Sequence, residues 1–355
     1  MRAVSTSAAY NRSLTLWVPG LLHPQRVAQS EVELTKKITP VLRKLLSKAD
    51  YHPRLERDFT EQACYLFHQT SVLPRAALSA SILVPEAFQQ APDDFWLSVD
   101  PVQMIPDRDT LVLIPPSDLA ISIVESQQLL QAFNQHFAED GVELLFGGAE
   151  QWFMQIKQSI DLQSTRLTDV AYQSINQAYP RGNAATYWRQ LINETQMLFY
   201  THPVNVKRRE QGLPEINSIW PWGEGTLQHQ NIKQRIHAAI FADSAYLQGL
   251  ALATGAESKR QVTQAKDWLS QASAGHNLVY LDTLAERIPS LQQNEWLSVV
   301  QDFETQWMQP LLAALHAGTI DSLFLDLGAN QHFYLNARAL KRFWRWNKNL
   351  RTLCE

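Results

Sequence analysis

Short apolar runs bounded by turn residues alternate along this chain with longer stretches whose apolar side chains recur at helical spacing. The runs at residues 14–18, 95–99, 111–114, 142–146, 152–156, 237–242, 278–281 and 323–327 read as strands of ordinary length. Strands and helical stretches in alternation predict an α/β fold, a mixed sheet flanked by helices. Between residues 95 and 160 the strands crowd together and predict a smaller antiparallel or mixed β-rich layer, broken by one helix over 118–140. In that helix Leu129, Leu130, Phe133 and Phe137 share a face, Asp118 is placed to cap the start and Gly141 to end it. A second helix is expected over 184–200, stopping before the His202-Pro203 step. A third, over 294–315, aligns Trp296, Val300, Phe303, Trp307, Leu311 and Leu315, and Pro310 should kink or divide it.

The polar segment KQSIDLQSTRLT suggests a boundary at about 158–168, separating an N-terminal region, 1–160, from a C-terminal region, 161–355. The alternative is one sheet that draws strands from both halves.

Composition narrows the class. With 355 residues, 45% hydrophobic and 19% charged, the chain can bury one large core or two modest ones. The net charge of −4 gives no reason to expect a nucleic-acid partner. Pro19 and Gly20 interrupt the early run LTLWVPGLL, no small-residue cleavage site follows, and no apolar stretch reaches membrane-spanning length. A cytoplasmic protein without a membrane partner is the expectation. Cys64 and Cys354 have neither the paired spacing of a disulfide framework nor companions for a zinc site.

The densest polar cluster spans 193–225, NETQMLFYTHPVNVKRREQGLPEINSIWPWGEG. Asn193, Gln196 and Tyr200 would lie along one helix face, and His202, Asn205, Lys207, Arg208, Arg209 and Glu210 would follow in a loop. Pro221 would hold Trp220 and Trp222 in different directions in a rigid turn, and Gly223 and Gly225 would let the chain turn or a partner approach. A ligand site here would use Trp220 and Trp222 as a wall, Asn193, Gln196, Asn205 and Asn217 as neutral hydrogen-bonding groups, and Arg209 for an anion. His202, Glu224, Asp100 and Arg108 complete the candidate set. The competing reading is that these groups cap helices and brace turns.

Asp243, Asp282 and Asp326 each fall at the carboxyl end of an expected strand, where ligands bind in open α/β sheets, and are candidates for a metal site. No G-x-S-x-G or HExxH pattern is present. The segment KRFWRWNKNLR interleaves bases with aromatics, the composition of a nucleic-acid or membrane-surface contact, but docking of Phe343, Trp344 and Trp346 on the core is the expectation.

Taken in order, LWVPGLL, WLSVDPV, FNQHF, NETQM, HPVN, NSIWPWGEG, LVYLD and WMQPLL resemble a bacterial family of RpfE-type regulatory proteins. INSIWPWGEG and AAIFADSAYLQGLALATGAE are also similar to segments of cofactor-independent phosphoglycerate mutase, a metal-dependent branch of the alkaline-phosphatase superfamily. That resemblance implies an α/β fold with an inserted second region and two divalent metals that activate a serine. It also implies an aspartate from the first strand, but this chain supplies VPGLL there, and His276, Asp282, Asp326 and His332 do not reproduce the paired ligand spacing. The expectation is a mutase-like fold without its metal centre and with no cofactor, the alternative being an active enzyme holding Mn or Zn. It would act on a small anionic ligand or a protein partner.

Overall fold

The computed structural model describes residues 12–354. Its strands are β1 (Arg12–Trp17), β2 (Asp50–Pro53), β3 (Phe95–Asp107), β4 (Thr110–Ile114), β5 (Leu145–Phe146), β6 (Trp152–Ile156), β7 (Ser218–Thr226), β8 (Ala238–Phe241), β9 (Glu257–Lys259), β10 (Gly275–Tyr280), β11 (Ser322–Asp326) and β12 (Gln331–Asn336). The chain forms two compact units, residues 1–70 with 233–355, and residues 71–232. The second is an insertion into the first, so the boundary expected near 160 falls inside the inserted unit. The sheet of the first unit takes strands from both sides of the inserted unit.

That sheet runs β2-β12-β11-β1-β10-β8-β9. β1 lies between β10 and β11 and is parallel to both, so Leu14, Thr15, Leu16 and Trp17 are all buried. A strand covered on both faces carries an uninterrupted apolar run, which is why β1 stood out in the sequence.

The tryptophan-rich helix packs on this sheet in two parts, Gln293–Phe303 and Gln309–Ala317, joined by a π turn at Glu304–Met308 that ends just before Pro310. Trp296, Val300, Phe303, Trp307, Leu311 and Leu315 are all buried, as their spacing predicted. The π turn aims Glu304 at the start of the helix Pro40–Lys48, where its carboxylate accepts from the N–H groups of Val41 at 2.6 Å and Leu42 at 2.8 Å. Those N–H groups have no partner inside their own helix, so a distant side chain supplies the cap.

The inserted unit has its own core around a sheet ordered β4-β3-β6-β5, with β7 also pairing with β3. Ser122 and Glu125 form a capping box at the start of the helix Ile123–His136, four residues beyond the expected cap Asp118. The helix Ala185–Tyr200 forms over the expected span and stops before the His202-Pro203 step. Two expectations are corrected. The segment after His202 is the helix Pro203–Glu210, because His202 accepts from the N–H of Val204 and Pro203 fits the first turn. The Trp-Pro-Trp segment is strand, not turn, with Pro221 opposite Val99.

The C-terminal aromatics are also corrected. Phe343, Trp344 and Trp346 are 85%, 61% and 84% exposed and do not dock on the core.

Candidate functional site

The parallel strands β1, β8, β10 and β11 of the first unit end together at one edge of the sheet, the edge where open α/β folds bind ligands. Three acids arrive there, Asp243, Asp282 and Asp326. Asp282 accepts from the N–H groups of Asp243 and Ser244, both at 2.8 Å, and so fastens the turn after β8. Burial pushes its carboxyl up to about 6 against those hydrogen bonds. Asp243 accepts from the N–H of Gln261 at 3.3 Å.

Asp326 belongs to a different cluster. It is fully buried and accepts from the Gln62 amide at 2.7 Å, with Arg54 Nε at 3.3 Å and His332 Nε2 at 3.6 Å. Burial alone would raise its carboxyl, but His332 and Arg54 together hold it below the ordinary carboxylate range. Gln62 Nε2 also lies 3.1 Å from His332 Nε2, and the tautomer of the ring sets which of the two donates. Gln62 Oε1 and His332 Nδ1 are buried and have no hydrogen-bond partner among the described residues. Tyr65 stacks on His332 at 5.7 Å, and the Arg57 guanidinium lies 4.0 Å from the Tyr65 ring centre.

The end of β1 carries no acid from Trp17 to Leu22. Its Trp17 ring stacks on Phe59 at 5.2 Å and meets Tyr280 at 4.6 Å, and Phe59 in turn touches Tyr246 at 5.7 Å. Aromatic rings thus fill this part of the edge. His276 sits near the opposite end of β10, 5.0 Å from His68, where burial first and then the charges of His68 and Arg235 push it down to about 3.

A two-metal centre needs converging anionic donors. Here both oxygens of Asp282 hold backbone N–H groups, and Asp326 faces a guanidinium that repels a cation. Among the described residues no group of three or more His, Cys, Asp and Glu side chains is placed to hold a metal ion. The residues present do not fit the metals that the resemblance implied.

In the inserted unit most of the 193–225 cluster serves the fold. Asn205 donates to the carbonyls of Phe199 and Ile216 and accepts from the N–H of Ile216, each at 2.9 Å. Asn217 bonds to both backbone groups of Met104, and Gln196 reaches the Met104 sulfur at 3.2 Å. Arg209 pairs with Glu215 at 2.5 Å and lies over Tyr200, while Asn193 is exposed. Trp220 donates to the Thr165 carbonyl at 2.8 Å, and Glu224 accepts from the N–H and hydroxyl of Ser164. Gly223 and Gly225, at φ of 68° and 152°, make room for Arg75 and Pro74 of the same unit, whose side chains would lie 3.2 Å and 2.7 Å from an added Cβ. Arg108 is exposed at the β3–β4 turn, away from Asp100.

Asp100 is the exception. It is buried, accepts from the Trp222 indole at 2.7 Å and the Trp152 N–H at 3.3 Å, and burial pushes its carboxyl up to about 7. The Arg75 guanidinium lies 4.6 Å from the Trp222 ring centre.

Sequence reasoning missed Arg54, Gln62, Phe59 and Tyr280. One signal was available, since Asp58 and Glu61 form a capping box that starts the helix Phe59–Leu66 and sets Phe59 and Gln62 at this edge.

No family model matches the chain. Over 287 residues it is 24% identical to a probable 2,3-bisphosphoglycerate-independent phosphoglycerate mutase of Geobacter sulfurreducens, covering 76% of this chain and 67% of that protein. Over 230 residues it is 23% identical to the enzyme so named in Methanosarcina barkeri, covering 60% of this chain and 57% of that one. The cofactor-independent phosphoglycerate mutase of Thermoplasma acidophilum superposes with a TM-score of 0.52 at 12% identity, covering 97% of this chain and 94% of its own. The chain is homologous to the cofactor-independent phosphoglycerate mutases. A Pyrococcus horikoshii protein shares the fold at a TM-score of 0.53, 13% identity and coverage of 91% and 85%. The mutase fold expected from the glycine-bearing segments is therefore present. No described helix is long and apolar enough to cross a membrane.

Proposed function

We propose that this chain is a regulatory, ligand-binding protein built on the phosphoglycerate-mutase fold, with the metal-dependent phosphoryl-transfer centre lost. One observation carries the reading: the carboxyl end of β1 offers Trp17, packed against Phe59 and Tyr280, where a mutase would place an aspartate. The ligand is a small anion held at the cluster of Arg54, Gln62 and His332. Arg54 keeps a quarter of its side chain exposed, while Gln62 Oε1 and His332 Nδ1 provide an acceptor and a ring nitrogen that no other described residue engages. A ligand that satisfies both removes the penalty of two orphaned buried groups. The polar groups of 193–225 then act as architecture. The regulatory part of the reading follows the resemblance to RpfE-type proteins.

The first test is interconversion of 3- and 2-phosphoglycerate by purified chain with Mn²⁺, beside a chelator-treated control. No turnover is expected, and metal-dependent turnover sinks the proposal. In parallel, 3-phosphoglycerate or inorganic phosphate should raise the melting temperature of the wild type and not of Arg54→Ala. The names of the relatives favour a second reading, an active mutase, and the buried Asp326–His332 pair is where its chemistry would reside.

A further inference from the structure

From Leu327 to Cys354 the chain contains no Asp or Glu and carries Arg338, Lys341, Arg342, Arg345, Lys348 and Arg351, in a protein whose acids otherwise exceed its bases. The helix Ala337–Leu340, capped by the Asn336 side chain, leads into a turn that is held rigidly from behind. Arg342 grips both oxygens of Asp50 at 2.7 and 2.8 Å, and Arg345 reaches the same carboxylate at 3.2 Å. Lys48 donates to the carbonyls of Arg342 and Arg345, Arg43 to that of Lys348 at 3.0 Å, and the Lys348 N–H bonds to the Ser47 hydroxyl at 2.9 Å. These bonds fasten the turn to the neighbouring helix and strand of the same unit. Its aromatics are not, for Phe343 and Trp346 stand in solvent and Trp344 is well over half exposed. A turn this firmly anchored has no mechanical need of three exposed large aromatics, and rings held outward make a preformed contact surface.

We propose that this face docks the protein on an anionic lipid bilayer. Indole and phenyl rings settle at the headgroup level, and the long stems of Lys341, Lys348 and Arg338, all exposed, let their charges reach lipid phosphates beside them. Charge complementarity favours this face, because the segment carries six bases and no acid in a chain that is acidic as a whole. A single-stranded nucleic acid would need parallel ring faces for successive bases. Phe343 and Trp344 instead meet edge to face, at 86° and 5.1 Å. No membrane partner was expected from the sequence because no apolar stretch reaches spanning length, and surface docking needs none.

The test is co-sedimentation of the full chain with vesicles of phosphatidylcholine alone and of phosphatidylcholine mixed with phosphatidylglycerol. Binding is expected to the mixed vesicles, weakening with added salt, with a blue shift in tryptophan emission. Phe343→Ala, Trp344→Ala and Trp346→Ala combined should weaken it by about tenfold or more, and Lys341→Glu with Arg338→Glu should do the same. Because these side chains are exposed, circular dichroism and melting temperature of the variants should match the wild type. Absence of binding to the mixed vesicles, or equal binding by the aromatic variant, overturns the proposal. So does a salt-sensitive complex with single-stranded RNA, or a dimer, that forms in place of vesicle binding and is lost in the same variant.

Discussion

Replacing Asp100 with Asn tests the electrostatics of the inserted unit most directly. Asp100 is enclosed by β3, β6 and β7 and holds its proton to about pH 7, where the same carboxyl in the unfolded chain releases it near 3.8. Burial is the main cause; the Trp222 hydrogen bond and the Arg75 charge oppose it, and Glu150 adds to it. Between those two pH values the folded state binds more protons than the unfolded state, so stability falls as pH rises. The contribution is fully present below the unfolded value and lost above the folded one. A shift of roughly three units corresponds to ~4 kcal/mol at ~1.36 kcal/mol per unit, an order-of-magnitude ceiling. Asn is neutral throughout, but its amide must point one N–H group at a donor, which costs about 1–3 kcal/mol at pH 5. At pH 8 the wild type carries the buried charge and the variant does not, so the cost of Asp100→Asn should shrink or reverse. Urea unfolding of both proteins at pH 5 and pH 8, followed by tryptophan emission, measures the difference. A cost that is the same at both pH values would mean that Asp100 is ionised throughout, and the reasoning would fail.

Asn205→Ala removes three buried hydrogen bonds that join the helices Ala185–Tyr200 and Pro203–Glu210 to Ile216, and should cost about 2–4 kcal/mol in urea unfolding; a loss under about 0.5 kcal/mol would show that water replaces them. Gly328→Ala sets a Cβ 2.2 Å from the Gly20 backbone at a φ of 76°, so it should destabilise by about 2–4 kcal/mol, and an unchanged melting temperature would refute that close approach. Mn²⁺ should leave the melting temperature of chelator-treated chain unchanged, since a site bound at a hundredfold excess over its Kd would add about 2.7 kcal/mol; a rise of several degrees would restore the metal centre.

Much of the fold was legible where burial dictates composition. β1, β6 and β10 announced themselves because strands covered by neighbours carry apolar runs, and the stripe from Trp296 to Leu315 because one helix face packs on the sheet. Pro310 was readable as a division because its ring cannot continue a helix undisturbed. The strand nature of Trp220-Pro221-Trp222 was not. Proline is excluded from central strands, and only the pairing of β7 with β3, among the described residues, shows it in an edge position that tolerates the missing N–H.

The carboxyl edge belongs to tertiary structure alone. Asp326 and His332 stood in the sequence as candidates, but Gln62 reaches them across 264 and 270 residues, and Arg54 meets Asp326 across a comparable gap. Trp17 likewise read as another core tryptophan until β10 and the helix Phe59–Leu66 brought Tyr280 and Phe59 against it. Local patterning records which face of an element is buried, because the hydrophobic effect acts on every residue by its own surface. It does not record which distant element supplies the partner, because any apolar or polar surface of matching chemistry would satisfy the same pattern. The insertion of residues 71–232 between β2 and β8 left no mark for that reason, and the chemistry at the edge was decided when the parallel sheet closed around β1.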